Sequence, residues 1–313
     1  MKYIFTGVLF LFILSTISSA QSIKREDLVF KSGNRVLSAK MIYPESTNPI
    51  PFLVFVGGEE AYESFGKDYR DFLQENFEDV FLLEDIGFFY INTRGIGSSE
   101  GRWQRADIYD RAIDVKAGLD FLKNRQEVDI KRIGVFGHGR GAWIAQVVAS
   151  QNTDDIAALL SLAGPTFDMK TTLTNGFHAR YVCNGRDSTA AYKRAVRQTR
   201  SVQGWVNAIP WTKRWRQGKV NKDFDPTEAL KTVQAPSLFL FAEHDREIYP
   251  SWATDRLNEI FDGNIPSHFT VDTIPLTTHD FRVGPVCYSG NGNGFVFSDV
   301  FKSKMRSWVL ENL

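Results

Sequence analysis

The chain is poor in cysteine and has no charge of one dominant sign. Cys183 and Cys287 are the only 2 cysteines in 313 residues. At that spacing they cannot form a zinc framework. They are compatible with one disulfide or with two separate buried thiols. Lys and Arg number 37, and Asp and Glu also number 37. A net charge of zero gives no global field toward nucleic acid or a charged surface. Internal repeats and low-complexity segments are missing, which argues against solenoids and disordered arrays. After Ile17 no apolar stretch approaches the ~20 residues that span a bilayer.

What the first residues do contain is a short positive start and an apolar run. Lys2 is followed by Tyr3 to Ile17, then Ser18-Ser19-Ala20 before Gln21. This describes a secretory signal peptide over residues 1–20, cleaved after Ala20. The alternative is an uncleaved anchor, but the run is short and no basic stop-transfer cluster follows it. No cysteine lies at the cleavage point to carry a lipid. The expected product is exported, periplasmic or secreted, with no membrane span after cleavage. Residues 21–313 suffice for one large α/β domain or two small ones.

The stretch "DLVFKSGNRVLSAKMIYP" alternates on both sides of Ser32-Gly33-Asn34 and predicts a β-hairpin. "PFLVFVGG" and "GFFYI" are nearly continuous apolar runs, as strands buried on both faces require. A helix is expected around Tyr69 to Phe77. In "DIYDRAIDVKAGLDFLKN", Ile108, Ala112, Val115, Leu119 and Leu122 recur at helical spacing. Further strands are expected in "RIGVF", "IAALLSLAGP", "SLFLFAEHD" and "HFTVDTIPL", with a closing helix from Asp299 to Leu313. The alternation predicts a mostly parallel sheet covered by helices on both faces.

The interval from Thr166 to Pro236 is about twice as long as one crossover helix needs. It reads as an inserted cap over the C-terminal edge of the sheet. From Thr166 to Asp225 it holds twelve Lys or Arg against four Asp and no Glu. It also holds Trp205, Trp211 and Trp215. One reading is a solvated basic face with tryptophans packing the cap onto the body. The other is a lid that offers aromatic surface to anionic ligands.

Chemistry concentrates in "RIGVFGHGRGAWIA". An apolar strand runs into Gly137-His138-Gly139-Arg140-Gly141 and then into a helix, the pattern of a G-x-S-x-G nucleophile elbow. Glycine 139 stands where the serine should be. Two partners follow at later strand ends, in the order acid then histidine: Asp245 in "AEHDREIYP" and His279 in "TTHDF". Such chemistry needs a histidine to take the nucleophile's proton and a carboxylate to fix its tautomer. His244 and Asp280 are sequence neighbours whose side chains should diverge from the pair. His268 begins its strand, at the wrong edge. His178 lies in the cap, where a packing role is the better reading. His138, inside the elbow, suits a pocket wall.

Together these stretches resemble the α/β-hydrolase superfamily, in particular exported bacterial relatives near dienelactone hydrolases and acylaminoacyl-peptidase-type esterases. "YINTRGIGSSEG" resembles their glycine-rich loop, "IYDRAIDVKAGLDFLKNRQEVDIKRIGVFGH" their approach to the elbow, and "APSLFLFAEHDREIYP" their acid loop. The resemblance implies an α/β-hydrolase fold and hydrolysis of a small-molecule ester or peptide-like substrate, anionic ones included. It implies no metal and no organic cofactor. Backbone amides of Arg140 and of Glu59, or else Gly58, would form the oxyanion hole.

Gly139 breaks this pattern at the reactive atom. Ser98 and Ser99 belong to another loop, and neither cysteine is near the elbow in sequence. The expectation is a hydrolase scaffold that is inactive or very slow as written. The alternatives are a pseudoenzyme that binds a ligand or partner in the former pocket, and slow hydrolysis by a water activated by His279. Glycine should also relieve backbone strain of order 1 kcal/mol or more and leave a small void beside His279.

Overall fold

The computed structural model describes residues 22–58, 66, 69–288 and 294–313. The expected signal segment and Glu59 lie outside the described residues. Eight strands form one sheet in the order β1-β2-β4-β3-β5-β6-β7-β8. They are β1 (Ile23–Ser32), β2 (Arg35–Pro44), β3 (Ile50–Val56), β4 (Gly87–Ile91), β5 (Val128–His138), β6 (Ala158–Leu162), β7 (Ser237–Ala242) and β8 (Phe269–Ile274). β2 pairs antiparallel with β1 and β4, and every other pairing is parallel. Gly33, at φ +59°, supplies the left-handed residue of the tight β1–β2 turn.

The continuous apolar runs are explained by two cores, one on each face. In β3, Phe52, Val54 and Val56 face one core while Leu53 and Phe55 face the other. The first core is covered by α3 (Ile108–Leu122), α4 (Gly141–Gln151), α8 (Thr227–Thr232) and α9 (Pro250–Ile260). The second is covered by α1 (Arg70–Leu73), α2 (Asp79–Phe81) and α10 (Asp299–Asn312). Between α1 and α2 the helix widens to a π-helical turn over Gln74–Glu78, within the segment where the sequence predicts a helix. The sequence reading passed over α9, although Pro250 in its first turn and Ala253, Leu257 and Ile260 on its buried face signal it.

α3 begins with a capping box, in which Asp107 accepts from the Asp110 amide and Asp110 accepts from the Asp107 amide. Buried Asp114 then accepts from Arg94 Nε and Ser32 Oγ, both at 2.6 Å. This satisfied buried network locks the loop after β4 onto α3. From the same helix, Arg111 donates to the Gly58 carbonyl at 3.2 Å. α3 therefore fixes the backbone that leaves β3 beside the elbow.

Between β6 and β7 lie α5 (Met169–Cys183), α6 (Ser188–Ala208), α7 (Lys213–Asn221) and α8. α8 packs on α4 and belongs to the body, while α5 and α6 pair as a helical hairpin and α7 rests on α6. Among the described residues no helix is long and apolar enough to cross a membrane.

Candidate functional site

The elbow is set by close backbone packing. A Cβ on Gly137 would lie 2.4 Å from the Gly141 carbonyl carbon, and one on Gly141 would lie 2.5 Å from the Val56 oxygen. Neither position has room for a side chain, so strand β5 can turn into α4 only through glycine. Gly139 sits between them at φ +53°, the strained left-handed geometry of a nucleophile elbow. A Cβ there would point at His279, 3.0 Å from Nε2 and 3.5 Å from Cε1.

Asp245 and His279 are brought to the same place from the ends of β7 and β8. His279 Nδ1 donates to Asp245 Oδ2 at 2.8 Å. The other oxygen of this buried carboxylate accepts from the amides of Glu247 and Ile248, at 2.7 and 3.0 Å. The histidine loop is anchored in turn. Phe281, at φ +58°, is fully buried and stacks on Phe301 of α10 with ring centroids 4.1 Å apart. Its left-handed backbone is held by that packing. Arg282 lies over the Phe297 ring and donates to the Phe295 carbonyl.

His138 lies behind His279 and does not line the cleft onto which His279 opens. It is buried against Phe72 and Tyr69, and its Nε2 donates to the His279 carbonyl at 2.9 Å. The two imidazoles lie 4.6 Å apart, centroid to centroid. Burial, followed by the neighbouring His279 charge, pushes His138 down to about 4. Burial opposes charge on His279 too, but Asp245 and Glu247 outweigh it and lift His279 to about 10. At neutral pH, His279 is therefore an imidazolium and His138 is neutral. The Glu247 carboxylate, 3.6 Å from His279 Nε2, is held below its ordinary range chiefly by the His279 charge. The sequence reading did not single out Glu247.

A cleft of about 480 Å³ opens onto His279. Gly176, Arg180 and Asn184 line it from the α5 side, and Arg246, Glu247 and Tyr288 are among those lining it from the acid and histidine loops. Cys183 and Cys287 form a disulfide, which ties the end of α5 to the loop after His279. Closing a loop of 104 residues contributes about 4–5 kcal/mol of stability in the chain-entropy account. Arg246 Nη1 donates to the carbonyls of Cys287 and Tyr288. Asn175 of α5 accepts from the Tyr249 amide at 2.9 Å. The inserted hairpin is thus fastened to both loops that carry the pair.

The remaining sequence candidates take other positions and partners. Trp205 and Trp215 line a different cleft, and Trp211 is 66% exposed. None of the three lines the His279 cleft. His244 donates from Nδ1 to the Gly284 carbonyl, and Asp280 accepts from Thr278 and Arg282, but the expected divergence is incomplete, since both line the His279 cleft. His268 is hydrogen-bonded to the Val233 carbonyl, and His178 packs among Tyr192, Tyr249 and Trp252. Ser99 is buried and accepts from the Ser38 amide. Gly58 lies alongside the elbow, its amide nitrogen 3.1 Å from where a Gly141 Cβ would be. Arg140 forms the N-cap of α4. Among the described residues, no three His, Cys, Asp or Glu side chains gather as metal ligands.

No family model matches the chain. The α/β hydrolase domain-containing protein WAV2 of Arabidopsis thaliana is 36% identical over 72 residues. That match covers 23% of this chain and 22% of the relative, so the chain spans about a fifth of the curated relative's length. Solved structures match over far more of the chain. Est1E of Butyrivibrio proteoclasticus, in a structure with ferulic acid bound, has a TM-score of 0.57 at 12% identity, covering 91% of this chain and 98% of that one. The Pyrococcus furiosus esterase Pf2001 has a TM-score of 0.60 at 15% identity, covering 92% and 93%. This protein has the α/β-hydrolase fold.

Proposed function

We propose that the protein is a serine-hydrolase relative whose ester- or amide-cleaving machinery is complete except for the nucleophile. The observation that carries this reading is the position of residue 139. Its Cβ would lie 3.0 Å from His279 Nε2, while His279 Nδ1 is bonded to Asp245 at 2.8 Å. With serine at 139, Oγ would attack the carbonyl carbon and His279 would take the hydroxyl proton. The ring would then hand that proton to the leaving group, and water would release the acyl group by the same route. Asp245 would orient the ring, and amides at Arg140 and at Gly58 or Glu59 would hold the oxyanion. Helices α5 to α7 act as a cap over a small-molecule site. The Cys183–Cys287 disulfide supports an exported location, since disulfides persist in oxidising compartments.

As written, the chain lacks the attacking atom and is inactive or very slow. The test compares p-nitrophenyl acetate and butyrate hydrolysis by the mature protein and its Gly139→Ser variant. A gain on the order of 10³-fold or more is expected. Because His279 is held protonated, the gain should be larger at alkaline pH, where the ring becomes a base. No gain at any pH would sink the inactivated-enzyme reading for small esters.

A second reading is favoured by the cleft of about 480 Å³ that His279 lines together with Arg180 and Arg246. The carboxylates of Asp245 and Glu247 also favour the charged ring over the neutral base. On this reading the protein is a pseudoenzyme that binds a ligand in the former active-site cleft, and Gly139→Ser yields no catalyst.

A further inference from the structure

Beside the His279 cleft lies a second one, of about 640 Å³, lined by Phe177, Arg180, Gln198, Ser201, Val202, Trp205 and Trp215. Arg180 lines both clefts. Its surroundings separate it from the other charged groups of the site. Glu247 is engaged by His279, and Asp280 by Arg282 at 3.2 Å and Thr278 at 2.8 Å. Arg246 donates to the Cys287 and Tyr288 carbonyls. Arg180 is exposed, and among the described residues its guanidinium has neither an ion pair nor a side-chain hydrogen bond. Besides Arg180, the described residues lining the second cleft are apolar and aromatic groups, a glutamine and a serine, with no carboxylate among them.

From this juxtaposition we infer that Arg180 is the specificity-determining residue of the cleft, anchoring the carboxylate of a ligand with an apolar or aromatic body. The inference rests on reading the His279 cleft as the ligand site. The ligand body lies along Phe177, Trp205 and Trp215, its carboxylate meets Arg180, and any group to be cleaved extends toward His279. A planar guanidinium suits this task, because it pairs two N–H donors with the two oxygens of a carboxylate and stays charged at every working pH. The tryptophans offer large contact area with few rotatable bonds. The basic composition of α5 to α7 then raises the local concentration of anions around the anchor. A purely structural account of Arg180 is also available, since a cation in the last turn of α5 complements the helix dipole. That account predicts no ligand discrimination.

The test uses the protein as it stands, with glycine at 139, and reads tryptophan fluorescence at pH 7. The probes are phenylbutyrate and the uncharged phenylbutanol, which share a body and differ in the carboxylate. Phenylbutyrate should bind tighter by about tenfold or more, as one charge-assisted pair implies. Arg180→Gln should remove that preference, and Arg180→Lys should keep part of it. Equal binding of the two probes, no binding of phenylbutyrate at millimolar concentration, or a preference that survives Arg180→Gln would each overturn the inference. In the Gly139→Ser background, the p-nitrophenyl monoester of succinate should be preferred over p-nitrophenyl acetate, and Arg180→Gln should erase the preference. If that variant hydrolyses nothing while the fluorescence preference persists, the hydrolase reading fails and the anchor stands.

Discussion

The elbow at residues 137–141 and the acid–histidine arm lie side by side, and they differ in what their side chains supply. In the elbow the backbone makes the left-handed turn from β5 into α4, and residue 139 carries no side chain. In the arm every group is present, from the amides on Asp245 to the Nδ1 bond of His279. The elbow keeps its shape because Gly137 and Gly141 have no room for a Cβ, whatever stands at 139. The arm keeps its shape because Asp245 caps its own loop through the Glu247 and Ile248 amides while it holds the histidine. Each preserved feature has a packing or hydrogen-bonding role. On the proposed function, a hydroxyl at residue 139 would have no such role and could be absent without loosening the fold.

The strongest way to break this comparison is to ask whether the arm still works. In a Gly139→Ser protein, Asp245→Asn should lower kcat by on the order of 10⁴-fold, because the ring loses its tautomer and its counter-charge. Steady-state rates check this, and an unchanged rate would mean that the arm is only structural.

The elbow is tested through stability. Gly141→Ala should cost about 3 kcal/mol or more, since the new Cβ would meet backbone that cannot yield. Gly176→Ala in α5, where nothing lies within 4 Å, should be neutral or stabilising by up to about 1 kcal/mol. Urea midpoints at constant m report both. Equal effects would show that the elbow is not fixed by packing.

The smallest effect sharpens the electrostatics. His279 lies at about 10 in the folded protein, above the ordinary histidine value of about 6.5. Its contribution to stability is therefore full below about pH 6.5 and is lost as pH rises through about 10. His138, pushed down to about 4, acts in the opposite sense: its contribution is present above about pH 6.5 and is lost as pH falls toward 4. Glu247→Gln should lower the His279 midpoint, read from the imidazole C–H resonances in an NMR titration. An unmoved midpoint would leave the shift to Asp245 and Asp280.

Much of the fold was legible because the inner strands announced themselves as buried apolar runs and the opening hairpin by its alternation. Asp245 and His279 were legible because they follow two strand stretches in an order that the chemistry demands. Glu247 was not, because its proximity to His279 depends on how the loop after β7 curls around the Asp245 carboxylate. Arg180 and Arg246 were hidden for a similar reason, as their meeting depends on where α5 docks. The tryptophans gave a compositional signal without a position, and folding distributed them to a second cleft and to solvent.

By itself the sequence determined the alternation of strands and helices, the glycine-bound elbow and the missing hydroxyl. These follow from local periodicity and from residue types that admit one backbone geometry. Only the tertiary structure decided that Cys183 and Cys287 pair across 104 residues, that His279 lies between two carboxylates, and that Arg180 stands on both clefts. Those facts depend on contacts between segments far apart in the chain, where neither spacing nor propensity carries information, and packing alone brings the groups together.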